Sequence, residues 1–316
     1  MLNRRYLRIK VMQGLYTYFQ SHSTDIPKGE QELIRSIDKV YDLYVLLLQF
    51  LVELRQVAES ISEDAKGKKL PTAEDLNPNL RFIENPVLLQ LEKNLSLAKG
   101  LNERKLNWSG QAEIIRRTFQ AVRSSEEYIE YMSAASPDYD AHREFISQVF
   151  KRFVADSDQL DTYLEERSLY WPNDLNMAVA PMILKTLENF SADTDGSASL
   201  LPLYKDQPDD TNFVKELYRK TILHDKEAEA MIGEKTRNWE VERIAMMDVL
   251  LMKMAIAELL HFQSIPVKVS LNEYIEISKL YSTPKSKVFI NGVLDKLVLD
   301  LKEKSLLVKT GRGLIE

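Results

Sequence analysis

Apolar residues recur at every third or fourth position through long runs rich in Leu, Glu, Lys, Gln and Ala, a spacing that suits helices and not alternating strands. Only 10 Gly and 11 Pro occur in 316 residues, so little interrupts these runs. The hardest case is residues 287–297, KVFINGVLDKL, where Asn291-Gly292 would be the strongest two-residue hairpin signal between strands. Here Phe289, Val293 and Leu297 recur every four residues, as do Ile290, Leu294 and Val298, and no strict alternation is present. The spacing predicts a helix straight through the pair. Glycine inside a helix costs about 0.5–1 kcal/mol relative to alanine, so Gly292 needs a reason, such as close approach by another helix or a ligand. No segment requires β structure, and the predicted class is all-α.

The composition, 44% hydrophobic and 28% charged, suits one large core or two modest ones. With no cysteine, disulfides, cysteine nucleophiles and thiolate metal sites are excluded. The apolar stretch YVLLLQFLV is too short to span a bilayer, and MLNRRYLRIK lacks the pattern of a signal peptide. A cytoplasmic protein is expected. A net charge of −6 and a pI near 5.5 argue against a broad nucleic-acid coat, which wants a basic surface. Any such site must be a local patch, and residues 1–20 offer one: Arg4, Arg5, Arg8 and Lys10 with no Asp or Glu.

Three stretches rich in Pro, Gly, Asp or Ser read as breaks: KGKKLPTAEDLNPNLRFIENP from Lys66, SAASPDYD from Ser133, and SADTDGSASLLPLYKDQPDD from Ser191. The last looks most like a domain boundary. Laid on itself with an offset of 68 residues, the chain pairs Trp171 with Trp239, Phe145 with Phe213, Asp161 with Glu229 and Lys185 with Lys253. Ile146, Val149 and Leu164 fall on Val214, Leu217 and Ile232. Two explanations stand side by side: chance matching of helical segments, or a degenerate copy at 139–190 of the helical unit that follows.

Catalytic signatures are missing. His22, His142, His224 and His261 are scattered, with no H-E-x-x-H zinc pair, no phosphate-binding glycine loop and no G-x-S-x-G elbow. Paired carboxylates on helices are ordinarily solvated charge. The expectation is a protein that binds and does not catalyse, with no cofactor and no metal.

On a helix starting near Asn3, a good N-cap, Arg4, Arg5 and Arg8 fall within an arc of about 100°, while Lys10 points elsewhere. Cations here oppose the positive end of the helix dipole, at a few tenths of a kcal/mol each unless an anion is near. Phosphate would reverse that cost; pairing with Asp and Glu elsewhere in this acidic chain explains the arginines equally well. Tyr16 and Tyr18 are candidates for stacking on unpaired bases, with a core role for at least one the simpler reading. Lys279, Lys285 and Lys287 form a second basic stretch without an intervening acid. Around it, Thr283 with Pro284 predicts a helix start, and SLNE at Ser270–Glu273 reads as a capping box. The helix after Trp239 has an apolar face through Ile244, Met247, Leu251, Met254 and Ala255, with Asp248 at its margin and Glu258 well inside. A buried unpaired carboxylate costs several kcal/mol, so Glu258 should have a structural partner, whereas Asp248 is free to face a partner protein.

These strings resemble the NusB transcription antitermination factor family. ERIAMMDVLLMKMAIAELLHFQSIPVKVSLNEYIEISKLYSTPKSKVFINGVLDKL, entered through Trp-x-x-Glu-Arg at Trp239, resembles the family's second subdomain, and RRYLRIKVMQGLY its arginine-rich first helix. The resemblance implies an all-helical NusB-like bundle of two subdomains with an added helical insertion: residues 1–20 the first helix, 21–208 the insertion, 209–300 the C-terminal subdomain and 301–316 a tail. It implies binding of boxA-type RNA in ribosomal RNA leader transcripts together with NusE, a small-subunit ribosomal protein, within the RNA polymerase antitermination complex. The RNA-facing residues would be Arg4, Arg5, Arg8, Gln13, Tyr16, Lys285 and Lys287, and Asp248 would contact NusE. Glu258, Glu273, Asn291 and Gly292 would be structural, with Gly292 admitting close packing beside the SLNE helix and Asn291 bonding polar groups there. The alternative is a helical protein-interaction scaffold without RNA binding, with an RNA-modifying enzyme ranked behind both.

Overall fold

The computed structural model describes residues 1–236 and 245–314. The second tryptophan of the repeat, Trp239, the Trp-x-x-Glu-Arg motif and Ile244 therefore lie outside the described residues. Every regular element among those described is helical: α1 (Arg4–Gln20), α2 (Ile26–Lys66), α3 (Ala73–Leu76), α4 (Pro86–Glu92), α5 (Leu95–Arg104), α6 (Ala112–Arg123), α7 (Glu126–Ser133), α8 (Tyr139–Val149), α9 (Asp158–Arg167), α10 (Ala180–Asn189), α11 (Gln207–Leu223), α12 (Asp225–Lys235), α13 (Met246–His261), α14 (Val267–Tyr281) and α15 (Ser286–Glu303). Wider π turns, Phe150–Ala155 and Leu175–Val179, extend α8 and lead into α10. The three predicted breaks fall between α2 and α4, between α7 and α8, and between α10 and α11.

The chain forms two compact units, one of residues 38–203 and one of residues 2–37 with 204–316. These limits differ from those the resemblance suggests: the start of α2, through Ile37, groups with α1 and the C-terminal helices. Charge divides unequally. Residues 38–203 carry 27 Asp and Glu against 18 Lys and Arg, a net −9, while the remainder carries 21 against 24, a net +3.

In the unit of residues 38–203, the long apolar run of α2 supplies a fully buried strip from Leu43 to Leu48. Polar tips inside are satisfied: Tyr44 Oη bonds Thr186 Oγ1 at 2.6 Å, Trp108 Nε1 donates to Leu46 O at 2.9 Å, and Trp171 Nε1 donates to Lys39 O at 2.8 Å. An aromatic cluster of Phe82, Phe119, Tyr128, Tyr131 and Phe145 forms a second part of this core. The starts of the first helices in the two offset-matched stretches coincide. At the 68-residue offset, Tyr139 at the start of α8 matches Gln207 at the start of α11, and Asp138 and Asp206 each cap their helix, accepting from the amides of Ala141 and Asp209.

In the other unit α13 is central, packed against α1, α11, α12, α14 and α15. A helix apolar on nearly every side belongs inside a core, and from Leu250 to Leu259 only Lys253 is not fully buried. Two helix starts differ from the sequence expectation. Helix α14 begins at Val267, so Ser270 and Glu273 lie within it and their side chains serve other partners. Helix α15 begins at Ser286, after a turn in which the Ser286 amide donates to Thr283 O at 2.9 Å. Asn291-Gly292 is helical, but the proposed close approach is corrected. Among the described residues, a Cβ built on Gly292 meets nothing within 4 Å, and the exposed Asn291 side chain bonds Asp295, one turn on, at 2.9 Å. Among the described residues, no helix is long and apolar enough to cross a membrane.

Candidate nucleic-acid interface

Helix α1 begins as its sequence dictates. Asn3 Oδ1 accepts from the Tyr6 amide at 2.8 Å, and no acid occupies the first turn. Its three arginines all find carboxylates from distant helices. Arg4 reaches Asp209 at 2.5 Å and Asp210 at 2.9 Å, its guanidinium 4.3 Å from the centre of the Phe213 ring. Arg5 makes a bidentate pair with Glu273, at 2.9 and 2.8 Å. Arg8, 2% exposed, is bidentate to Glu258 at 2.8 and 2.7 Å, and Glu273 stands 3.8 Å from its third nitrogen. Ser270 and Tyr274 also donate to Glu258, at 2.7 and 3.0 Å. Burial opposes the charge on Arg8, but Glu258 outweighs it and holds the guanidinium protonated.

Arg8 is therefore corrected from an RNA contact to a core residue: two of its nitrogens are spent on Glu258, the third faces Glu273, and the side chain is buried. Arg4 and Arg5 remain partly exposed, with side chains at 33% and 43%. Lys10 is buried, its ammonium 5.6 Å from the Tyr6 ring centre. Further along α1, Gln13 is half-buried and Tyr16 is 41% exposed.

Asp248 is also corrected. It is 4% exposed and accepts from Ser282 Oγ at 2.5 Å and Ser286 Oγ at 2.8 Å. Because α13 carries this carboxylate against the α14–α15 turn, Asp248 anchors that turn and does not face outward. The turn presents Lys285 and Lys287, both exposed. Lys279, at the end of α14, pairs with Glu276. The hydrogen bond from Lys279, followed by the charges of Lys279, Arg5 and Lys287, holds the Glu276 carboxyl below the usual range, although desolvation acts the other way.

The fold thus joins two basic stretches that are more than 270 positions apart in sequence: Arg5 from α1 and Lys279 and Lys287 from α14 and α15 share the neighbourhood of Glu276, with Lys285 in the adjoining turn. Such a patch can engage phosphate through a guanidinium edge and through mobile ammonium groups. Sequence reasoning did not find Asp209 and Asp210, and it named Glu273 as a structural residue of the SLNE segment without pairing it to the arginines. Nothing in the local spacing marks these acids as partners of the arginines, since the pairing is made by packing α1 on α11 and α14.

Residues 183–298 match the profile of the NusB family. The transcription antitermination protein NusB of Salinibacter ruber is 45% identical over 139 residues, 42% of this chain and 86% of that protein. That of Chloroherpeton thalassium is 42% identical over 105 residues, 33% of this chain and 50% of that protein. That of Desulforamulus reducens is 41% identical over 98 residues, 31% of this chain and 68% of that protein. No solved structure gives a significant match. Since the chain is 45% identical to the Salinibacter ruber protein over 86% of that protein's length, and the profile covers α14 and most of α15, the chain belongs to the NusB family.

Proposed function

We propose that this chain is a transcription antitermination factor that binds boxA-type RNA of ribosomal RNA leader transcripts together with NusE, within the RNA polymerase antitermination complex, and performs no chemistry of its own. The observation that carries the reading is the convergence of Arg5, Lys279, Lys285 and Lys287 at the ends of three helices in the unit whose net charge is positive. Family membership and the name shared by its relatives support the same reading.

The contact works by counter-charge. Lys285 and Lys287 take phosphates directly, Arg5 does so while Glu273 holds its guanidinium plane, and exposed Tyr16, about 16 Å further along α1 at 1.5 Å per residue, offers a ring for an unpaired base. NusE strengthens the complex through shared surface. A scaffold without RNA binding is the rival, favoured by the neutralisation of all three arginines of α1. Fluorescence anisotropy of a labelled boxA-containing leader RNA, titrated with the chain in the presence and absence of NusE, separates them. Binding that NusE tightens supports antitermination; no binding by the folded protein in either case leaves the scaffold.

A further inference from the structure

We propose that residues 309–313, in the segment after α15, are a strap that positions Arg4 at the start of α1 for RNA phosphate, acting through the α13–α14 turn and the ring of Phe213. The proposal rests on the RNA-binding reading above and adds three positioning residues to it, Lys309, Gly313 and Phe262, which act through their neighbours and not by touching RNA.

The strap is fastened at the C-terminal end of α13, where helix carbonyls lack partners within the helix and the dipole favours a cation. Lys309 Nζ donates to Phe262 O at 2.9 Å, and the Thr310 amide donates to Gln263 O at 3.0 Å. Gly313 is buried and closes the hold: a Cβ built there collides with Gln263 O and stands 3.3 Å from the Ser264 carbonyl carbon. Only glycine lets the two backbones approach this closely. Burial lowers the proton affinity of Lys309 and the charge of Glu258 acts the other way, which sets the ammonium in the field of the Arg8–Glu258 pair. Phe262, whose carbonyl Lys309 holds, packs its ring on Phe213 with centres 5.4 Å apart and planes at 70°, a favoured aromatic geometry. Phe213 is 3% exposed, and the guanidinium groups of Arg4 and Arg8 stand 4.3 and 5.2 Å from its centre, within cation–π range. Glu258 fixes Arg8 independently of that ring. Arg4, a third exposed in its side chain, takes the orientation of its guanidinium face from Phe213. A binding group held in one geometry by packed supports loses less freedom on binding than one left to find it.

The test pairs the Arg4 Nε–Hε resonance, read by two-dimensional NMR of the full chain, with anisotropy of the leader RNA. A proton held over an aromatic ring is displaced by the ring current, and the resonance is assigned by its loss in Arg4→Lys. Gly313→Val, which cannot seat the strap, and Lys309→Met, which keeps the stem and removes the donor, should both move that resonance toward the position of an exposed arginine. Both should also weaken RNA binding about two- to fivefold, the range for one exposed charged contact. Lys309→Arg, which keeps a cationic donor, should preserve both signals. Lys302→Met, the same charge change at an exposed position of α15, should leave both unchanged. Thermal melting checks that each variant is folded. An unmoved Arg4 resonance in the folded variants overturns the strap, and if RNA binding weakens all the same, the segment is a direct RNA contact. A moved resonance with unchanged RNA affinity also overturns it. If the wild type binds no RNA, the antitermination reading falls, and the resonance alone decides whether the strap holds Arg4.

Discussion

Arg8 and Glu258, 250 positions apart, form a bidentate ion pair with their side chains 3% and 0% exposed. Ser270 and Tyr274 occupy further acceptor positions on the carboxylate, so one buried charge pair ties α1 to α13 and α14. Removing one partner of such a pair leaves an uncompensated charge in the core. Glu258→Gln is expected to lower unfolding stability by about 3–5 kcal/mol, measured by urea denaturation; a loss below ~1 kcal/mol, the range of exposed pairs, would contradict the burial.

Arg4 has a different status, because Asp209 is 71% exposed in its side chain and has Arg4 as its ion-pair partner. If RNA phosphate lies at the start of α1, Asp209 competes with it. Asp209→Asn is expected to tighten RNA binding about two- to fivefold, the range for an exposed ion pair, while Asp210 keeps Arg4 in place. An unchanged dissociation constant in anisotropy titrations would remove Arg4 from the interface.

Gly292 is exposed on α15 with open space where a Cβ would stand. Gly292→Ala is therefore expected to stabilise the protein by about 0.5–1 kcal/mol through helix propensity alone. A destabilised variant in denaturant titrations would mean that the residue is packed.

The helical class was legible because a 3.6-residue spacing persists through nearly every segment, even across Asn291-Gly292. Asn3 as a cap was legible for the same local reason. The fates of Arg8 and Asp248 were not. Both carry charge at helix margins, and whether a margin faces solvent or a neighbour depends on which helices pack there, α13 against α1 in one case and the α14–α15 turn against α13 in the other. The reason offered for Gly292 failed likewise, since a glycine's local sequence says nothing about what lies opposite. The basic patch was half legible, as two separate stretches whose meeting is a property of the fold.

His261 stacks on His224 with ring centres 4.5 Å apart, and its Nε2 is buried without a partner among the described residues. Burial first, then the charges of His224 and Lys220, lower its proton affinity, with Glu227 and Glu216 acting the other way. His142 is lowered too, by burial and then Arg81, against Asp138. A histidine with a lowered folded value binds more protons unfolded than folded, so stability rises with pH across that window. Denaturation midpoints should fall as pH drops below the ordinary histidine value of 6.5, and His261→Asn should flatten part of that fall. A pH-independent midpoint between about 7.5 and 5.5, the span in which histidine titrates, would contradict this.

The central claim, that the ends of α1, α14 and α15 form the RNA phosphate site, is tested most directly by the salt dependence of leader RNA binding in the wild type and in Lys285→Ala with Lys287→Ala. Both lysines are exposed, so the substitutions leave the core intact. The account predicts weaker binding and a log–log salt slope shallower by about 0.7 for each lysine that engages a phosphate of single-stranded RNA. The same affinity and the same slope in the folded variant would contradict it.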